Sequence, residues 1–456
     1  MPIAYVIKVG VGFYFLYIYT SVYGNGSLSA DAGAFMEESA ILNEVFYQSP
    51  IDYFKLLTGI GDQTELVGKY LMDTDHWDSG AQAIISDNRN IMRFHSVLHF
   101  ISFKEAAIHV LVMCFFSLIG IKQLYLGIKK RTTMSSSALF AILLIFPSVL
   151  FWSSGILKEP LLILGIGLFV RGILKQKGSS NKWLFIILGG LLMIGFKPYV
   201  FISMIPGIVF YGLYSILPKY KIALGLSIIM LIGISSIFLF PTQRDKLVHT
   251  LTLKQYDFKN VGKGGLHVLT DDCFYFFEPD QISELIIEGD SVTIDHVIEA
   301  QEIQFGSIDD ATPVTLSPPE KKWQLYFRND KSDGYIDITM INHSFSQLIF
   351  NIPEALLNSL FRPFPMDPGS WLKYPAMIEI LLLYGFLIFA IAKRRTLKSK
   401  DKALITSIVL FVISLSLIIG WVTPVLGAIV RYRTPTFIGI LLIALILVQR
   451  KKTTHE

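Results

Sequence analysis

Apolar residues fall in long runs along this chain, at roughly 3–23, 106–127, 136–152, 156–173, 183–197, 199–217, 222–240, 372–392, 403–422 and 434–449. Each run approaches the ~17–25 residues that an α-helix needs to cross a bilayer. The pattern predicts an all-α polytopic membrane protein with about ten transmembrane helices. Two polar stretches, 24–105 and 241–371, interrupt the runs. In the first, Phe35, Ile41, Leu42, Val45 and Phe46 recur at helical spacing, and "IDYFKLLTGIG" and "NIMRFHSVLHFIS" follow suit. These segments predict amphipathic helices lying in the membrane interface. The second stretch alternates apolar and polar residues in "LHVLTDDCFYFF", "SVTIDHVIEAQEIQF", "KWQLYFRND" and "GYIDITMI". Period two between Gly, Asp and Pro breaks predicts an inserted small antiparallel β ectodomain over 250–341, then an amphipathic helix near 344–360. Three domains result: 1–240 with seven spans and the region 24–105, 241–371 with the strands and an interfacial helix, and 372–456 with three spans.

Composition agrees with a bilayer as the solvent. The chain is 52% hydrophobic and 17% charged, against about 25% charged residues in soluble chains. A net charge of +4 is too small for a nucleic-acid partner. Its distribution is more informative. "KKRTT" (129–133), "RGILKQKGSSNK" (171–182), "PKYK" (218–221), "KRRTLKSKDK" (393–402) and "QRKK" (449–452) are short basic loops. Basic loops stay cytoplasmic. With ten spans all five fall on one side, both termini are cytoplasmic, and both polar stretches face outward. The opening "MPIAYVIKVGVGFYFLYIYTSVYG" lacks a small-residue cleavage site and reads as a retained first helix. Cys114 lies in an apolar run and Cys273 in a polar region, so no disulfide is expected between them. Almost no charge lies well inside the runs. Glu379 is the main exception, which argues against ion-coupled transport.

The stretch "SVLFWSSGILKEPLLILG" puts Lys158 and Glu159 in an outward turn between two short runs flanked by Pro147 and Pro160. A lysine there suits an anionic group, with the dipole of the next helix assisting. A snorkelling lysine paired with glutamate at the headgroups is the plainer alternative. Arg93, Lys197 in "FKPY", Arg362 in "FRPFP", and Arg431 and Arg433 in "RYRTP" also stand at outward ends beside apolar or aromatic residues. Arginine matches phosphate in two-pronged contacts. The set fits a lipid-linked phosphate or pyrophosphate, or else unrelated interfacial anchors. Asp31 follows the first run; it suits a general base for a sugar hydroxyl or a helix N-cap. "TDHWD" offers Asp75, His76 and Asp78, residue types that hold divalent ions and equally form solvated loops. No glycine-rich phosphate loop, zinc signature or nucleophile elbow is present, so neither cofactor nor metal is expected.

A first span followed by an outward acidic residue and interfacial helices resembles the GT-C superfamily of integral-membrane glycosyltransferases. "FPSVLFWSSGILKEP", "LFRPFP" and "VRYRTP" are similar to segments of bacterial membrane proteins from polysaccharide loci, labelled glycosyltransferase or polymerase. The resemblance implies a multi-pass protein of the bacterial inner membrane that uses a polyprenyl-phosphate-linked sugar, with Asp31 in "SADAGAFMEESA" as the catalytic aspartate. Lys158, Glu159, Arg93, Lys197, Arg362, Arg431 and Arg433 then bind substrate. Membrane lipids are partners, and the β domain is free to bind an envelope protein or glycan. Two alternatives stay open: a Wzy-like polymerase that relies on the arginines, and a non-enzymatic scaffold or transporter for surface polysaccharide.

Overall fold

The structure, a computed structural model, describes every residue except 61–63, 72–73, 75, 78–85, 176–177, 217–224, 227, 229–232, 234–238, 271–272, 305–311, 320, 330 and 450–456. Packing divides the chain into two units: Met1–Pro218 with Leu382–Val412 and Thr434–Glu456, and Lys219–Leu381 with Ile413–Arg433.

The first unit opens with α1 (Pro2–Tyr17), which continues through a π turn, Ile18–Val22. The polar stretch then folds as α2 (Ala30–Gln48), α3 (Pro50–Thr58), α4 (Thr64–Tyr70) and α5 (Asp87–Ser102). Their apolar faces meet in one core with Phe35, Leu42, Tyr53, Leu56, Trp77 and Ile91 at its centre. Among the described residues of 24–105, helices form where the apolar spacing predicts them.

Next come α6 (Ala106–Ile128), α7 (Ser136–Ile145), α8 (Pro147–Trp152) and α9 (Glu159–Leu174). The run 136–152 is therefore two helices. Pro147 has no N–H to donate and holds the preceding residue extended, and Phe146 has ψ 120°. Beyond α8, residues 153–158 are non-helical and wholly buried. Lys8 of α1 is also fully buried, and its ammonium donates to the Ser153 and Ser154 hydroxyls at 3.0 Å each. Lys8 thus joins Glu379 as a buried charge inside an apolar run. Where the ammonium of a lone lysine among apolar residues goes is decided only by folding.

Helix α9 packs between α6 and α10 (Lys182–Phe196). A side chain on Gly120 would put its Cβ 2.5 Å from the Ile163 carbonyl, and one on Gly189 would lie 2.6 Å from Phe169 N. The missing side chains thus let the helix backbones approach closely, as small residues do at helix contacts. Helix α11 (Pro198–Ile216) follows.

Four helical segments among the described residues are long and apolar enough to cross a membrane: Pro2–Val22, Ala106–Arg131, Lys373–Ala392 and Ser399–Val422. A bent pair, Leu426–Tyr432 with Thr434–Leu447, makes a fifth if it is one span. Ser136–Ile145, Lys182–Phe196 and Pro198–Tyr214 are apolar but shorter. Most of the run 222–240 lies outside the described residues.

Among the described residues the second unit holds α12 (Pro241–Lys263) and seven strands: β1 (Gly265–Leu269), β2 (Cys273–Phe277), β3 (Ile286–Glu288), β4 (Ser291–Thr293), β5 (Ile298–Gln304), β6 (Thr312–Leu316) and β7 (Trp323–Asn329). They form one antiparallel sheet in the order β3-β4-β7-β1-β2-β5-β6. Leu266, Val268, Phe277, Val292, Ile294 and Ile298 fill its buried face, as period two demands. Two expectations need correction. The sheet starts at Gly265, because 241–263 is helical. "GYIDITMI" is not a strand. Gln255 of α12 donates to Thr339 O and accepts from Ile341 N, so a side chain does the work of a neighbouring strand. The interfacial helix is split as α13 (Phe345–Phe350) and α14 (Ile352–Phe361). The remaining helices are α15 (Lys373–Ala392), α16 (Ser399–Val422), α17 (Leu426–Tyr432) and α18 (Thr434–Leu447). Both cysteines are free and buried.

Candidate functional site

The start of α9 gathers several charged groups of the first unit. Lys158 and Glu159 are only 6% and 1% exposed, which removes the snorkelling alternative. The Lys158 ammonium donates to Asp87 Oδ2 at 2.6 Å and to Asn88 Oδ1, both in the first turn of α5. It also lies 5.6 Å from the centre of the Phe35 ring on α2. Glu159 Oε1 accepts from Lys197 Nζ at 2.7 Å, and Lys197 is itself 3% exposed. Adjacent residues thus serve different partners. Lys158 reaches the α5 end, and Glu159 ties α9 to the junction of α10 and α11.

Asp31 lies in the first turn of α2, but the N-cap is Ser29. Ser29 Oγ turns away and donates to Tyr19 O at 2.7 Å, one of the carbonyls at the π turn. The cap assignment for Asp31 is therefore corrected; its charge still favours the helix dipole. Two turns further along α2, Glu38 is 4% exposed and accepts from His76 twice, from ring Nδ1 at 2.6 Å and from the backbone N–H at 3.3 Å. The His76 ring lies 6.1 Å from the Phe35 ring. Lys158 and His76 therefore share one aromatic neighbour. The bond from Glu38 raises the His76 imidazole above its ordinary pKa; desolvation opposes this, Glu38 and Asp31 charges add to it, and Lys158 lowers it. Asp31, Glu38, His76 and Lys158 thus form one electrostatic group. Asp75 and Asp78 lie outside the described residues.

Arg93 has a different task. It is buried, donates from Nε to Leu56 O at 2.9 Å and from Nη1 to Asn90 Oδ1 at 3.0 Å, and stacks 5.4 Å from Trp77. Burial, with Arg89 adding, pushes its pKa down to about 10. Gly59, at φ 69°, leaves room for the guanidinium; a Cβ there would sit 2.7 Å from Nη2. Arg93 thus clamps the end of α3. In the second unit, Arg362 pairs with Asp367 at 3.1 Å, and its carbonyl accepts from Arg433 Nη1. Arg433 is fully buried, while Arg431 is 8% exposed and lies over the Tyr432 ring.

Sequence reasoning missed Glu38, His76, Asp87 and Asn88 as parts of this group. A histidine two residues after Thr74, or an Asp-Asn pair at a helix start, carries no signal for a partner dozens of residues away. The chain matches no family model, no curated protein and no solved structure. Its fold and site define a mostly helical protein with helices long and apolar enough to cross a membrane, a small antiparallel sheet and a buried cation beside carboxylates and an imidazole.

Proposed function

We propose that the protein is an integral-membrane glycosyltransferase. It moves a sugar from a polyprenyl-phosphate-linked donor to a cell-envelope glycan or lipid acceptor at the outer face of the bacterial inner membrane. The carrying observation is Lys158: a buried ammonium at a helix start, sharing Phe35 with His76, on whose ring the charges of Asp31, Glu38 and Lys158 all act. A phosphate leaving group needs a cation, and an attacking hydroxyl needs a proton acceptor. Both lie in this one group. In this reading the donor phosphate displaces Asp87, whose side chain is 38% exposed, from the ammonium.

The reading includes ten spans with both termini cytoplasmic. Three of the five basic loops support it, because they meet at one place in the first unit. Asp401 accepts from Arg131 at 2.9 Å and from Arg395 at 3.0 Å, and Gln449 N donates to Lys393 O at 3.0 Å. A positive-inside arrangement requires such loops to share a side. The polymerase reading has its own support in Arg433, fully buried with Arg362 as its partner.

The test uses full-length protein in nanodiscs. Wild type should retain decaprenyl phosphate and release it from a decaprenyl-phosphate-linked sugar. A charge-assisted hydrogen bond is worth about 1.5–3 kcal/mol, so Lys158→Met should weaken retention by about ten- to a hundred-fold. Wild-type retention unchanged by Lys158→Met but lost in Arg433→Met would move the polymerase reading ahead. No retention by wild type rejects both enzyme readings.

A further inference from the structure

We propose that His76 and Glu38, not Asp31, form the acid–base centre of the transfer, with His76 Nε2 as the proton acceptor and Glu38 as the residue that positions the ring. This rests on the transferase reading and deepens it. One carboxylate holds both the ring and the backbone of His76, at 2.6 Å and 3.3 Å. Two bonds to adjacent groups fix the orientation and the tautomer, because Nδ1 must carry the proton it donates. Nε2 is left as the lone-pair nitrogen, and among the described residues no hydrogen bond reaches it. The two side chains differ in exposure as the roles require: Glu38 is 6% exposed and His76 is 25% exposed. Arg89 of α5 donates to His76 O at 3.4 Å and lies over the Trp77 ring at 5.3 Å, so the residues on both sides of the bond are pinned. Asp31 reaches the ring through its charge.

The step balances as a single displacement. The acceptor hydroxyl oxygen bonds to the anomeric carbon, and the bond from that carbon to the phosphate oxygen breaks. The electron pair leaves with polyprenyl phosphate beside Lys158. The hydroxyl proton passes to His76 Nε2, and the imidazolium is stabilised by Glu38. Water then takes the proton.

Among the described residues, charged groups facing His76 come from three elements: Glu38 and Asp31 on α2, Lys158 at the start of α9, and Arg89 on α5. A base must be neutral, so turnover rises with pH through the imidazole pKa. Asp31 raises that pKa and Lys158 lowers it. Asp31→Asn should therefore shift the acidic limb to lower pH and keep most of the plateau. Lys158→Met should shift it to higher pH. His76→Gln should cut turnover by about a hundred-fold or more and erase the limb, and Glu38→Gln should move the limb down and lower the plateau about ten-fold or more. All are measured on full-length protein in nanodiscs with the decaprenyl-phosphate-linked sugar.

A second readout does not need turnover. The His76 resonance of ring-labelled protein, assigned by its loss in His76→Gln, should titrate above the ordinary histidine range. It should move down in Asp31→Asn and up in Lys158→Met. A wild-type rate and profile in His76→Gln, with Asp31→Asn inactive, overturns the inference and leaves the transferase reading standing. A His76 resonance indifferent to both substitutions overturns it as well. No turnover by wild type, with His76 still coupled, removes the transferase reading and the reaction assigned to the pair together.

Discussion

Lys197 and Glu159 are placed by the sequence pattern at separate outward ends, as two contacts for one substrate. The fold pairs them with each other, at 2.7 Å and almost without exposure. Their energetics follow from that burial. Desolvating two charges cancels much of their attraction, but removing one partner leaves the other buried and uncompensated, at about 3–5 kcal/mol. Lys197→Met alone and Glu159→Gln alone should therefore each lower thermal stability strongly, whereas the double variant should recover most of it. The check is a double-mutant cycle of melting in detergent. Single variants that melt like wild type would return Lys197 to the role of a substrate contact. Lys8 shows the same logic with neutral partners. Two serine oxygens accept from it and send their own protons on to Val149 O and Leu150 O, so the non-helical segment and the buried ammonium satisfy each other.

The helices of the first unit are set by where they break and by how closely they approach. Prolines 147 and 198 start helices, and the residues before them, Phe146 and Lys197, are their non-helical boundaries. The second break frees Lys197 to reach Glu159. Between α6 and α9 the contact depends on glycine. A Cβ on Gly167 would strike the Gly120 backbone, which has no side chain to move aside. Gly167→Leu should cost at least the ~1–3 kcal/mol typical of overpacking and shift the α9 start out of register with α5. Gly212→Leu is the control, since a Cβ there meets nothing within 4 Å. Equal melting temperatures for the two variants would show that α6 and α9 do not pack as described. Helix α12 escaped the sequence reading for a related reason. Its buried positions include Thr252 and Gln255, polar residues that serve the backbone of Ile341 and its neighbours, so no apolar stripe announces it.

Sidedness belongs to the chain as a whole. Asp401 is 3% exposed and gathers Arg131 and Arg395, while Thr133 Oγ1 donates to Val448 O at 3.0 Å. Loops far apart in sequence are thereby tied at one end of the first unit. The basic loop at 171–182 follows α9, at the opposite end of that helix from Lys158. With cytoplasmic termini, a cysteine at Ser180 should be hidden from an impermeant reagent on intact cells, and one at Val297, which is 59% exposed, should be labelled. The native cysteines are buried and give little background. Labelling of Ser180→Cys from outside would invert the topology and remove the outward site.

Helices and strands were largely legible because each depends on spacing along the chain. Apolar runs, the period near 3.6 in 24–105 and the period of two in 265–329 are local patterns that burial imposes on whichever face turns inward. That Lys158 and Glu159 need partners was also legible, since two charges between apolar runs demand them. The partners themselves were not. Asp87 and Asn88 stand about seventy residues from Lys158 and His76 stands 38 residues from Glu38, and no periodicity links such positions. Whether a short apolar helix spans, breaks or packs at mid-depth is likewise decided by its neighbours: glycine lets α6 and α9 touch, and Lys8 satisfies the segment between α8 and α9. Local patterns follow from where the solvent is. Pairings follow from which buried groups the packed chain leaves no alternative but to satisfy each other.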